Sequence, residues 1–182
     1  MTNARDAWVL LGSEELEYVL ERLNEIALEP AVEYRLPKHF GLYDETCWAE
    51  RQELIWDLSV RMIRVFRKIV APADHLYAID PRHQSYRFYV HQPFERDATL
   101  EEMTGYYTRE RFRRVRDGMR LNTEPNFRWA MHIYPDGEEQ YFVSPHFDFV
   151  LEGHGDEMFV ARGRALVDEI AADLPRLFCG AG

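Results

Sequence analysis

The chain has 182 residues, 46% of them hydrophobic, and a formal charge of −10. That length suits one domain spanning residues 1–182, with a core large enough to stand without metals or disulfides. The acidic balance repels nucleic-acid phosphate and anionic lipid, so nucleic acid and membrane are disfavoured partners, whereas a basic protein surface or a cation is attracted.

In chain order, residues 7–11 read as a short edge strand or a buried lead-in, far too short to span a bilayer. No cationic start and long apolar run follow Met1, so no signal peptide is expected. With only Cys47 and Cys179 present, a reducing cytoplasm fits better than a secreted disulfide scaffold. Ser13 is placed as a helix N-cap, with Glu14 and Glu15 in the first turn where the helix dipole favours anions. Leu16, Val19, Leu20, Leu23 and Ile26 follow at helical spacing until Pro30. Residues 30–43, with Pro30, Pro37 and Gly41, read as an irregular segment packed down by its aromatics. Residues 44–70 read as the longest helix, with Trp48, Ile55, Leu58, Met62, Val65 and Ile69 on one stripe. A partner-binding seam is one use of such a stripe, and packing across a sheet is the simpler one.

Pro72 ends that helix, and residues 75–80 and 85–91 form a hairpin around Pro81-Arg82-His83-Gln84. Tyr86, Phe88 and Val90 face one way, and Arg87, Tyr89 and His91 the other. Thr99 with Glu102 makes a capping box for a helix over residues 100–121. A four-strand meander follows, over residues 127–134, 138–143, 146–152 and 156–161, with apolar residues alternating in each run. Gly163 then precedes a last helix to about Leu177, with Leu166, Val167, Ile170 and Leu174 on its buried side. This order predicts an α+β domain, an antiparallel sheet of hairpin plus meander with helices packed mainly on one face. No glycine-rich βαβ unit or P-loop is present.

Three constellations carry candidate chemistry. On a strand, His146 and Asp148 share a face and can ligate one divalent metal, with His154 from the next turn as third ligand and His132 as a possible fourth. Alternating polar residues on a half-buried strand explain the same pattern more simply. Around the first hairpin, Asp80, His83, Arg87, Tyr89 and His91 form a candidate ligand site, with Arg87 as a planar fork for a carboxylate or phosphate. The plainer alternative is a structural ion pair. The arginines at 109, 111, 113, 114, 116 and 120 suit an anion or an acidic partner, or are simply a solvated helix face. No serine lies in a nucleophile elbow, and no histidine is tied to Cys47 by the sequence, so a thiol nucleophile lacks its oriented base.

The run Tyr77-Ala-Ile-Asp80, His83, Tyr86-Arg87-Phe88, with Pro135-Asp-Gly137 and Gly153-His154 later on, resembles an uncharacterised bacterial domain family common in actinobacteria. The likeness covers roughly residues 76–163. It departs at Pro81-Arg82, where a Trp-Gln pair is expected, at Glu138, where Asp is expected, and at Gly155-Asp156, where Pro-Trp is expected. The resemblance implies a single cytoplasmic bacterial domain and assigns no chemistry. It also implies that the two signatures meet on one sheet face, with their imidazoles and Arg87 turned toward a shared hollow.

The expected function is a non-catalytic binding domain, of immunity type or regulatory, that grips a protein partner or a small anionic ligand and needs no cofactor. The alternative is an enzyme acting on a small anionic substrate by metal-assisted or His/Asp acid–base chemistry. It would use a divalent metal on His146, Asp148 and His154, with Arg87 positioning the anion.

Overall fold

The computed structural model describes residues 8–35, 58, 61–81, 85–91, 139–154, 158–173 and 179–180. Along the chain these form β1 (Trp8–Leu10), α1 (Ser13–Glu25), β2 (Ala31–Arg35), α2 (residues 61–69), β3 (Leu76–Ile79) and β4 (Tyr86–Phe88). Then come β5 (Gln140–Val143), β6 (Val150–His154), β7 (Met158–Arg162), α3 (Arg164–Asp173) and β8 (Cys179–Gly180). The fold is α+β. Its strands make one sheet in the order β1-β4-β3-β5-β6-β7-β2-β8, and every pairing is antiparallel. No helix among the described residues is long and apolar enough to cross a membrane.

Period-two alternation sorts the side chains onto two faces. Val32, Tyr34, Leu76, Ala78, Tyr86, Phe88, Phe142, Leu151, Phe159 and Ala161 point one way, where they meet Met62, Val65 and Phe66 of α2 and Leu166 and Ile170 of α3. Phe66 lies between Phe142 and Phe149, with ring centroids at 5.6 and 6.4 Å. Burying one such ring stabilises the fold by about 1.5–3 kcal/mol. The described part of the long-helix stripe, Leu58, Met62, Val65 and Ile69, therefore packs across the sheet. On the opposite face Tyr77, Ile79, Val143 and Val150 are covered by Leu16, Val19, Leu20 and Leu23 of α1. Both faces of the central strands are thus buried, and β3 has no exposed position at all.

Several boundaries differ from the sequence reading. Gly12, extended at φ −71° and ψ 158°, holds the N-cap position of α1, and Ser13 is already helical. The Gly12 carbonyl accepts from the Leu16 N–H at 3.0 Å, and the helix begins without a side-chain cap because glycine has none to offer. The helix ends at Glu25, not near Pro30. Part of the segment read as irregular is strand β2, whose Val32 and Tyr34 alternate toward the core while Ala31, Glu33 and Arg35 stay exposed. Strand β8, at the C-terminal tail, pairs with β2 and was not anticipated. The stretch His146–Asp148 is a turn, and β6 begins only at Val150. Gly163 adopts φ +93° and turns the chain from β7 into α3. A Cβ there would run into the Asp148 carbonyl oxygen and the Phe149 backbone. The first meander strand, the helix over 100–121 and the arginine cluster lie outside the described residues.

Candidate functional site

The polar side chains of interest lie mostly on the α1 face of the sheet, because residues 77, 87, 152, 154 and 162 share the parity of the positions that α1 covers. Glu15, in the first turn of α1, reaches down to Arg87 on β4. The guanidinium donates from Nε to Oε1 at 2.7 Å and from Nη2 to Oε2 at 2.5 Å. This bidentate pair joins residues 72 apart in sequence and raises the Arg87 pKa, the hydrogen bond to Glu15 being the main cause. Tyr77, the register partner of Arg87, faces the same carboxylate. Burial, then the Glu15 charge, pushes its phenol above the ordinary value. Tyr89 lies close enough to Arg87 to add to the rise in its pKa. His75 closes the group, its ring edge-on to Tyr77 at 4.8 Å and tilted against Tyr89 at 5.4 Å. Burial, then the Arg87 charge, lowers its pKa.

A second polar group sits farther along β6 and β7. Glu152, whose side chain is 16% exposed, accepts from Arg162 Nε at 2.6 Å and Nη2 at 3.4 Å. His154 Nε2 approaches the same carboxylate at 3.4 Å. Tyr141, opposite Glu152 in the register, has its pKa raised by burial first and then by Glu139 and Glu152.

The loop between β5 and β6 makes a third feature. Ser144 organises it: its hydroxyl accepts from the His146 N–H at 3.1 Å and its carbonyl from the Phe147 N–H at 3.0 Å. Phe147 is left at φ +57°, a conformation uncommon for a bulky residue. Its ring is fixed from three sides, stacked on Tyr77 at 6.1 Å, edge-on to Tyr18 at 5.8 Å and under the Arg22 guanidinium at 5.5 Å. His146 is 71% exposed, with Nε2 3.4 Å from Asp74.

These placements settle which sequence candidates meet. The described parts of the two signatures lie on one sheet, the first on β3 and β4 and the second at the end of β6, and Arg87 and His154 share a face, while Pro135-Asp-Gly137 lies outside the described residues. On that face the two are far apart. Three strand spacings amount to about 14 Å across the sheet, and four residues to about 13 Å along it, with α1 packed over the middle. Arg87 and Tyr89 are together. His91 is elsewhere, its Nε2–H donating to the Val70 carbonyl at the end of α2 at 2.7 Å. Asp80 is buried at the hairpin, where its N–H donates to Ser85 Oγ at 3.1 Å. The metal set is not assembled as expected: His146 and Asp148 stand on the turn before β6, whereas His154 is at its far end. No group of three or more potential ligands occurs among the described residues. His83 and His132 lie outside those residues.

Glu15, His75, Phe147 and Arg162 were not singled out by the sequence. The one signal for Glu15 was its first-turn position, which spoke for the helix dipole rather than for a long-range partner. No family model, curated protein or solved structure matches the chain.

Proposed function

We propose that the chain is a non-catalytic binding domain that engages a protein partner through the outer face of α1 and the adjoining β5–β6 loop. One observation carries this reading. Tyr18 is 51% exposed, its ring rests on Phe147 beside Arg22, and exposed Glu14, Glu17 and Glu21 surround it. An aromatic–arginine pair fixed in place loses little entropy on binding, which is why such residues anchor interfaces. The glutamates, in a chain of charge −10, select a basic partner. The small-anion reading loses support because the Arg87 fork is already closed by Glu15. This reading includes an immunity-type or regulatory role in a bacterial cytoplasm.

The second reading is the metal-assisted or His/carboxylate acid–base enzyme of a small anionic substrate, favoured by His154 beside Glu152 with Arg162 holding the carboxylate. Purification from the native host separates the two. The binding reading expects one stoichiometric basic protein, retained at low salt and lost with Tyr18→Ala. No retained protein, together with one equivalent of divalent metal that disappears in His154→Ala, would replace it with the enzyme reading.

A further inference from the structure

His75 is built into the seat of α1 at a place that holds a neutral ring more cheaply than a charged one. Its Nε2 is shut off from solvent and has no hydrogen-bond partner among the described residues. The ring is wedged between Tyr77 and Tyr89. The groups that face it are Arg87 from β4, Tyr89 just beyond β4, Tyr77 from β3, Asp74 from the preceding turn and Glu15 from α1, with Tyr18 bearing on Tyr77 and His146 on Asp74. We propose that His75 is an acid-triggered release for α1, in which a proton on its ring dismantles the Tyr77–Glu15–Arg87 seat and loosens the helix from the sheet.

An imidazolium in this position carries two N–H donors, one of them with nothing to donate to, and adds a second positive charge beside Arg87. Two carboxylates are near enough to answer it. Glu15 can turn to the ring only by leaving Arg87 and Tyr77, which undoes the bidentate pair. Asp74 is half-exposed, so the ring can swing out to it, but that removes the side chain propping Tyr77 against Glu15. Each route takes away part of what holds the first turns of α1. The lowered pKa of His75 accords with this. The folded chain binds the proton more weakly than the unfolded one does. Stability is therefore complete above the ordinary histidine value of 6.5, and it falls with pH from there until the folded ring also protonates. The inference holds whatever α1 binds.

The test is hydrogen exchange of the α1 amides from about pH 7.5 to about pH 5, expressed as protection factors, with the His75 imidazole followed by NMR. Protection of α1 should fall on acidification by about tenfold for each pH unit by which the folded ring's midpoint lies under the unfolded one, while β3 and β5 stay protected. The fall should vanish in His75→Phe, with His75→Gln as a second variant should the larger ring disturb packing. An equal fall in both variants, or a His75 ring titrating at or above 6.5, would overturn the proposal.

Discussion

Arg87 shows how one side chain can be recognised for its chemistry and still be used for something else. Its planar fork suits an oxyanion, and the oxyanion it holds belongs to Glu15 of the same chain. Both side chains are partly screened, at 38% and 23% exposure, so the pair is worth far less than a buried one. A double-mutant cycle with Glu15→Gln and Arg87→Ala, read by urea unfolding, should give a coupling of about 1 kcal/mol, at the upper end for exposed pairs because the geometry is bidentate. Phe147 poses the reverse problem, a favourable ring on an unfavourable backbone. Alanine loses the ring and keeps the left-handed φ of 57°, whereas glycine loses the ring and relieves the backbone. Phe147→Gly should therefore be about 1 kcal/mol more stable than Phe147→Ala, inverting the usual order. Neither feature was legible in advance. Glu15 is 72 residues from its partner, and nothing local in Pro145-His146-Phe147-Asp148 marks the third residue as the one with positive φ.

At the scale of elements, alternation and helical stripes located most of what is described, since each reports a burial pattern that the fold then fulfils. The hairpin of β3 and β4, the later part of the meander and α1 follow directly. The failures have physical causes. Strand β2 was hidden by flanking prolines, although Val32 and Tyr34 alternate correctly. His146 to Phe149 reads as a strand because its residues also alternate, but the hydrogen bonds to Ser144 and the packing of Phe147 make it a turn. The metal reading rested on that strand. The consequence for α3 is testable at Gly163, where positive φ and the Asp148 carbonyl leave no room for a methyl group. Gly163→Ala should destabilise the fold by roughly 1–3 kcal/mol, seen as a lower urea midpoint with an unchanged slope.

For the whole molecule, the central strands are buried under helices on both faces, and the described imidazoles and guanidinium expected to converge are instead spread over separate places. His91 ties the exit of β4 to the end of α2, Arg87 ties β4 to α1, and Arg162 holds Glu152 on the neighbouring strand. What remains outward on α1 is Tyr18 among glutamates. Binding through that face to a basic partner should weaken several-fold between about 50 mM and about 500 mM salt, mainly through slower association. The most direct measurement is site-specific photo-crosslinking in the native host, with the crosslinking side chain at position 18 on α1 or at position 64 on the exposed side of α2. One discrete protein adduct from position 18, and none from position 64, is the expected result. An adduct from position 64 alone, or none from either position, would contradict the assignment of α1 as the binding face.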